Sequence, residues 1–334
     1  MPTRRPFTFL AAFQAVLDGK ALAAEARRAE ALGFSAMVVP DHLIEQLSPI
    51  PALATIAAST DRLRIGAFVH NNALRHPAVL AQDLASLDVL SDGRLDVAIG
   101  AGWRKAEFDA IGLSFETAAI RQAQLEEAVA VLKGYFGDGP FSFSGEHYTI
   151  TELDGYPKPV QRPHPPFFIG GGGRRTLSLA GREANIVGLA PRVVAGQGPD
   201  PASLTLAATQ EKIGWVREAA GDRFDDLAFN VYPSAWPITI TDHPRAEAAR
   251  VIAQLRGRAA TDLTVDEVLE APHLFIGSVN GLVEKFQLLR QRLGISSFMV
   301  GDTNELRIGL ECFVEVPDTQ QEYGVRILNF KVPV

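Results

Sequence analysis

The chain is poor in the residues and patterns that would place it outside the cytoplasm. It has one cysteine, Cys312, among 334 residues, which excludes an internal disulfide and fits a reducing compartment. No apolar run approaches the ~20 residues needed to span a bilayer. The net charge of −7 provides no basic field for nucleic acid. We therefore expect a cytoplasmic protein that binds neither membrane nor nucleic acid.

The stretch from Arg62 to Phe108 has the pattern of a βαβ unit. Two apolar segments, Leu63–Val69 and Leu95–Ile99, have strand composition, and the second runs into a glycine-rich turn. Between them, Pro77 opens a helix whose leucines recur at helical spacing, at Leu80, Leu84 and Leu87. Such units place two parallel strands side by side with a right-handed crossover.

Strands and helices alternate eight times along the chain without a shift in composition. This predicts an α/β fold with a single (β/α)8 TIM barrel domain over residues 1–334, and a doubly wound sheet is the alternative. We expect insertions after the fourth and seventh strands, at about 137–165 and 256–275, and an atypical tail at 303–334. The predicted strands are 7–13, 34–39, 63–69, 95–99, 167–169, 186–189, 227–234 and 295–300.

Residues at the carboxyl ends of these strands are the candidates for chemistry, because barrel active sites lie at that end, here called the mouth. Asp41 and His42 follow the second strand. The imidazole of His42 could donate a proton or hydrogen-bond a cofactor ring, and a loop histidine held by a neighbour is the alternative. The pairs formed among His70, His76 and Glu107 lack the spacing of metal ligands, so we predict no metal site.

Two glycine-rich turns follow the fourth and fifth strands. Gly170–Gly173 precedes a helix, whose first N–H groups and dipole suit a phosphate; a flexible tight turn is the alternative. Gly100 and Gly102 only partly match a dinucleotide fingerprint. Small residues there could instead leave room for a flat ring, with Trp103 as one wall.

Three segments together resemble the luciferase-like flavin and deazaflavin oxidoreductases, with the branch that depends on coenzyme F420 as the nearer match. They read VVPDHL, then RLRIGAFV followed by RHPAVLAQDLASLDVLSDGRLDVAIGAGWRKAEFDAIG, then YPKPVQRPHPPFFIGGGGRRTLSLAGREANIVGL. The resemblance covers roughly residues 7–300 and implies the same (β/α)8 barrel. It also implies a homodimer and a cofactor at the carboxyl ends of the strands.

The resemblance carries roles to particular residues. A bulge after the third strand, with a cis bond between Phe68 and Val69, is expected to back the cofactor ring. Asp41 and His42 match residues beside the ring. The expected cofactor-binding residues are Phe68, Val69, His70, Gly100 and Gly102 near the ring, and Gly171, Gly172, Gly173 and Arg174 at the phosphate.

One departure from the family bears on the substrate. Deazaflavin-dependent sugar-phosphate dehydrogenases carry a catalytic glutamate after the fourth-strand glycines, where this chain has Trp103. Glu107 comes one turn later. Sugar-phosphate oxidation is therefore in doubt, and we take Asp41, His42, Trp103 and Glu107 as the catalytic candidates.

We hypothesise an F420-dependent oxidoreductase that transfers a hydride to or from a small organic substrate, with reduction of an unsaturated or imine-type compound as the expected direction. Arg174, Arg175 and Arg192 are candidates to meet the acidic tail of the cofactor. An FMN-dependent monooxygenase of the same fold is the alternative. A non-catalytic barrel that binds a flavin or another phosphate ligand is a third hypothesis.

Overall fold

The computed structural model describes residues 5–194, 198–257 and 261–302. Fifteen strands and ten α-helices are formed within this part of the chain. The strands are β1 (Thr8–Ala12), β2 (Ala36–Val39), β3 (Arg64–Ala67), β4 (His70–Asn71), β5 (Val97–Gly100), β6 (Phe141–Ser144), β7 (Thr149–Leu153), β8 (Phe167–Gly171), β9 (Ile186–Leu189), β10 (Val193–Val194), β11 (Gly198–Pro199), β12 (Ala228–Val231), β13 (Thr239–Ile240), β14 (Ile276–Gly277) and β15 (Ile295–Asp302). The helices are α1 (Gly19–Ala31), α2 (Pro49–Ser59), α3 (Pro77–Leu90), α4 (Lys105–Ala110), α5 (Ala118–Phe136), α6 (Arg174–Glu183), α7 (Leu206–Ala220), α8 (Pro244–Arg256), α9 (Val265–Glu270) and α10 (Val279–Leu293).

Nine of the strands form one parallel sheet, in the order β3, β2, β1, β15, β12, β9, β8, β5, β4. The two ends of this order, β3 and β4, are successive pieces of the third barrel strand. A parallel bridge from Ile65 to Leu95 joins the first piece to the segment before β5. The sheet therefore curls into a barrel with the last strand beside the first. The (β/α)8 prediction is confirmed, and the doubly wound alternative is wrong.

The predicted apolar faces of the helices lie in the core. Leu80, Leu84 and Leu87 of α3 are buried, as are the predicted faces of α5 (Leu125, Val129, Leu132, Phe136) and α10 (Leu282, Phe286, Leu289, Leu293). Helix α10 also begins and ends at the residues that are typical of helix termini. The Ser278 hydroxyl accepts from the N–H of Gly281, and Gly294 ends the helix with a φ of 71°.

The two expected insertions differ from each other. Residues 141–153 form the antiparallel hairpin of β6 and β7. The stretch 256–275 contributes buried Leu263, Val268 and Leu274 to a second apolar cluster, which also includes residues of α8. Residues 258–260, the tail at 303–334 and Cys312 lie outside the described residues.

Candidate active site

The third barrel strand is interrupted at the mouth by a cis peptide bond between Phe68 and Val69. β3 pairs with β2 before this bond, and β4 pairs with β5 after it. The ring of Phe68 lies 5.4 Å from those of both Phe168 and Tyr232. The cis bond that the resemblance implied is therefore present. These three aromatic side chains from different strands pack beneath the mouth.

Asp41 is a buried carboxylate that holds the segment after this bond. Its Oδ2 accepts from the N–H of Asn71 at 3.1 Å and from Nη1 of Arg75 at 2.6 Å. Burial alone would raise the pKa of Asp41. Hydrogen bonding and charge from His70, together with the Arg75 guanidinium, outweigh burial and lower that pKa to about 2. Asp41 is thus an anion that fixes β4 to the end of β2.

His42, the next residue, reaches in a different direction and contacts Glu107 of α4. Its Nδ1 lies 3.0 Å from Oε1 and 3.1 Å from Oε2 of that carboxylate. Glu107 is buried, whereas 22% of the His42 side chain remains exposed. The carboxylate can only accept, so Nδ1 carries the proton of this hydrogen bond. Nε2 is then the ring nitrogen left to exchange a proton with a substrate.

Two residues of the turn before α4 complete the surroundings of this pair. Trp103 packs its ring edge-on against His42 at 5.8 Å, and 58% of Trp103 is exposed. Nη1 of Arg104 lies 3.3 Å from Glu107 Oε1. Oε1 of Glu107 therefore lies within ion-pair distance of both the guanidinium and the imidazole, and Trp103 forms an open wall of the mouth.

The glycines after the fourth strand bring the backbone close to the third strand. A Cβ at Gly100 would lie 2.7 Å from Val69 Cγ2, which is closer than real Cβ contacts. Gly102 has a φ of +75°, and a Cβ there would overlap the amide of Asn71. Both positions therefore require glycine on steric grounds. The turn after the fourth strand therefore packs directly against the segment that follows the Phe68–Val69 bond.

His70 is the most enclosed polar side chain in this segment. It is fully buried, and its Nδ1 lies 3.6 Å from Asp41 Oδ2. Its Nε2 has no hydrogen-bond partner among the described residues. A buried polar atom without a partner carries a desolvation cost that a bound ligand can remove.

The glycine turn after β8 also has the predicted form. Gly173 precedes α6, and no side chain caps the first turn, which leaves its N–H groups available to an anion. A Cβ at Gly171 would lie 2.7 Å from Thr176 Cγ2. The side chains of Arg174 and Arg175 pair instead with Glu218 at 2.7 Å and Glu126 at 3.2 Å.

The third arginine expected to meet an acidic tail is paired as well. Nη2 of Arg192 lies 3.2 Å from Asp200 Oδ2. All three guanidinium groups therefore have carboxylate partners at the surface. Their part in binding stays a prediction and would require these exposed ion pairs to open.

Sequence reasoning missed three residues at the mouth. Arg75, which pairs with Asp41, lies in a loop with no spacing signal. Tyr232 follows β12 and could have been found by the rule that placed His42. His273 is buried, and its Nδ1 lies 3.3 Å from the carbonyl oxygen of Tyr232. Burial, with charge from Lys212, lowers the pKa of His273 to about 3, so it is neutral.

Residues 5–194, 198–257 and 261–302 contain no group of three or more histidine, cysteine, aspartate or glutamate side chains arranged to hold a metal ion. Within the same ranges, no helix has both the length and the apolar character to cross a bilayer.

Comparison with known proteins assigns the family. The family model for luciferase-like monooxygenases matches residues 11–198, more than half of the chain. This segment includes the cis bond, the His42–Glu107 pair and the glycine turn before α6. The chain belongs to the luciferase-like monooxygenase family. Its relatives use two kinds of cofactor.

An FMNH2-dependent dimethylsulfone monooxygenase of Pseudomonas putida is 36% identical over 127 residues, covering 38% of this chain and 35% of that protein. An F420-dependent glucose-6-phosphate dehydrogenase of Microbacterium testaceum is 28% identical over 256 residues, covering 74% of this chain and 72% of that one. The chain thus spans about a third of the length of the first relative and about 70% of the length of the second.

The barrel is also similar to that of an F420-dependent secondary alcohol dehydrogenase solved with an F420–acetone adduct. The TM-score is 0.71 at 20% identity, and the match covers 94% of this chain and all of the other. At this identity the likeness describes the fold.

Proposed function

We propose that the chain is an F420-dependent oxidoreductase that reduces a small unsaturated or imine-type compound. The observation that carries this proposal is the His42–Glu107 pair at the barrel mouth, with Nδ1 3.0 Å from a buried carboxylate. Reduction of a polar double bond needs a hydride at one atom and a proton at the other. F420, when bound, supplies the hydride chemistry, because a deazaflavin transfers hydride and resists one-electron and oxygen chemistry.

The residues around the mouth fit such a cofactor. The surface formed by Val69, Gly100 and Gly102 would lie against the ring. Nε2 of His70, which has no partner among the described residues, would hydrogen-bond a polar atom of the ring. The backbone N–H groups of Gly173 and the first turn of α6 would bind the phosphate.

The chain's own part in the reaction is to hold the substrate and manage one proton. Glu107 fixes the ring orientation of His42, so that Nε2 can deliver a proton as the substrate is reduced, or remove one in the reverse direction. Trp103 stands beside His42 and limits the approach of water. The ring of Tyr232 packs edge-on against Phe68, and together they form the floor of the substrate space.

An FMN-dependent monooxygenase is the second candidate, supported by the 36% identity with the dimethylsulfone monooxygenase over its matched segment. Both cofactors have a flat ring and a phosphate, so the residues above would suit either. The two functions differ in the use of oxygen, which a monooxygenase consumes with each turnover. The third possibility, a non-catalytic binding barrel, predicts cofactor binding without turnover.

The test is a side-by-side titration of the purified protein with F420 and FMN by fluorescence. Turnover of reduced F420 with a panel of enones and imines, and oxygen uptake with reduced FMN, then follow. We expect tight F420 binding, weak FMN binding and F420 oxidation without oxygen uptake. Preference for FMN with oxygen uptake would replace this proposal by the monooxygenase. Binding without turnover on the panel would favour the non-catalytic barrel.

The proton-transfer role has its own test in His42→Gln. We expect turnover to fall about 10²- to 10⁴-fold while F420 still binds, because only the proton exchange at Nε2 is removed. The matched control is His243→Gln, at an exposed position before α8. Equal activity of the two variants would exclude His42 from catalysis.

We further propose that the protein is a cytoplasmic homodimer. Val79 and Leu90 of α3 are 56% and 66% exposed, and the neighbouring Tyr156 is 65% exposed. Apolar side chains exposed together are typical of interaction surfaces. Light scattering should report twice the monomer mass, and Leu90→Glu should reduce it, whereas Leu288→Glu on α10 should not. A monomeric mass for the unaltered protein would refute the dimer.

A further inference from the structure

A cavity of about 370 Å³ lies inside the barrel at its amino end, opposite the mouth. Its wall is built by residues of most barrel strands. The exposed residues Arg5, Asn185 and Asp226 are among those that line it, so it reaches the surface at that end. Nothing in the proposed reaction uses this space.

The cavity exists because the lower layers of the barrel are made of small residues. Barrel interiors are normally filled by layers of bulky side chains, mainly valine, isoleucine and leucine. Here the wall includes Ala36, Gly66, Ala98, Ala228 and Ser297. An unfilled interior of this size costs stability, because its lining lacks the contacts that dense packing provides. A sequence that keeps it open is consistent with a ligand.

Larger side chains separate the cavity from the mouth. Leu10, Val38, Phe68 and Phe168 line its inner end. Phe68 and Phe168 are in ring contact at 5.4 Å, and Leu10 and Val38 belong to one buried apolar cluster. A molecule in the cavity would therefore meet an apolar ceiling and would not enter the catalytic space.

The charged groups that line the cavity lie toward its open end and balance in number. Nε and Nη2 of Arg64 donate to Asp96 Oδ1 at 3.0 and 2.5 Å. Arg5 and Asp226 add one further charge of each sign at the rim. Two cations and two anions favour neither an acidic nor a basic ligand. They do offer both donors and acceptors to a hydroxyl group.

We propose that this cavity is a second ligand site that takes a small uncharged aromatic alcohol, with its rings in the barrel interior and its hydroxyl at the Arg64–Asp96 pair. The volume fits this class. A dry apolar cavity of about 150 Å³ holds one benzene, and ligand sites begin near 300 Å³. A two-ring molecule is therefore the size that 370 Å³ accommodates with its hydroxyl.

The test is a fluorescence titration of the full chain with 2-naphthol. We expect a Kd of about 10–100 µM. Ala98→Leu places an isobutyl group in the cavity and should weaken binding at least tenfold, with Ala228→Val as the milder variant if the first fails to fold. Ala246→Leu, on the exposed face of α8, is the matched control and should bind as the unaltered chain does.

Two further measurements locate the ligand. Trp103→Ala alters the mouth, so it should leave 2-naphthol binding unchanged if the ligand is in the barrel interior. A crystal structure with 6-bromo-2-naphthol should place the bromine beside Ala98 by anomalous scattering. No binding up to 1 mM, as an order-of-magnitude ceiling for a specific site, would overturn the proposal. The proposal would also be overturned if Trp103→Ala weakened 2-naphthol binding while Ala98→Leu and Ala228→Val left it unchanged.

Discussion

Replacing Asp41 by asparagine tests whether the buried carboxylate, and not only its shape, holds the mouth together. Asparagine keeps the size of the side chain and an oxygen that can still accept from the N–H of Asn71. It loses the negative charge that faces Arg75 at 2.6 Å and His70 at 3.6 Å. Asp41 is 4% exposed, so solvent screens these charges weakly.

The size of the effect follows from the pKa. Lowering the pKa of Asp41 from 3.8 to about 2 corresponds to roughly 2.4 kcal/mol of stability at neutral pH, since each pKa unit is about 1.36 kcal/mol. For a chain of 334 residues, the unfolding entropy is about 0.7 kcal/mol/K. Asp41→Asn should therefore lower Tm by roughly 3 to 4 °C.

The pH dependence identifies the charge as the cause. A carboxylate whose pKa is lowered on folding stabilises the fold above its unfolded pKa of 3.8 and loses that contribution as the pH falls toward 2. The difference between the unaltered chain and Asp41→Asn, measured by urea denaturation, should be constant from about pH 5 to 8. It should fall to about half at pH 3.

An exposed ion pair provides the control for this experiment. Lys105 Nζ lies 2.5 Å from Asp109 Oδ1, but the two side chains are 63% and 55% exposed. Asp109→Asn should change stability by no more than about 0.5 kcal/mol. If Asp41→Asn has an equally small effect at pH 7, or if its effect does not shrink in acid, the electrostatic reasoning about the mouth is wrong.

Three other predictions concern separate parts of the fold. Glu107→Gln should lower kcat for F420-linked reduction about 100-fold, whereas Glu284→Gln at an exposed position of α10 should not, and equal rates would exclude an orienting carboxylate. Gly112→Ala should lower the free energy of unfolding by about 1 kcal/mol, measured by urea denaturation, because the φ of Gly112 is +72° while the space around it is open. Gly102→Ala should lower it further and weaken cofactor binding, because a Cβ there would also overlap the Asn71 side chain. Burial, with charge from Arg192, lowers the pKa of Lys212 to about 8, so stability should rise from pH 8 to 10 by about 2 kcal/mol more in the unaltered chain than in Lys212→Met. A parallel pH dependence in the two proteins would contradict the last prediction.

The barrel could be predicted because its signals are local. The leucines of α3 recur at helical spacing, and the same spacing that predicts a helix also decides which face is buried. The second apolar cluster was missed for the opposite reason. Val265, Val268 and Leu269 have helical spacing, but α9 has only six residues, so its pattern is too short to predict which face is buried, and tertiary packing with α8 decides it.

The sequence allowed individual residues of the candidate site to be predicted, but not the contacts between them. The rule that chemistry lies at the carboxyl ends of strands selects His42 and, more weakly, Glu107. Their contact spans 65 positions, and it forms because α4 turns Glu107 back over the mouth. Arg75 had no signal at all, since its partner Asp41 lies 34 positions earlier, in the loop that follows β2. The cis bond at Phe68–Val69 came from the family resemblance and not from the residues.

Asp41 and His42 are adjacent in the sequence, yet their side chains make separate contacts. Asp41 contacts Asn71 and Arg75 and so connects β2 to β4, whereas His42 contacts Glu107 of α4. Loss of the first contact should act on the free energy of unfolding, and loss of the second on the proton transfer. A barrel that only bound a cofactor would need the Asp41 contacts but would gain nothing from a buried glutamate that orients a partly exposed imidazole. The His42–Glu107 pair is therefore the feature that favours catalysis over binding alone.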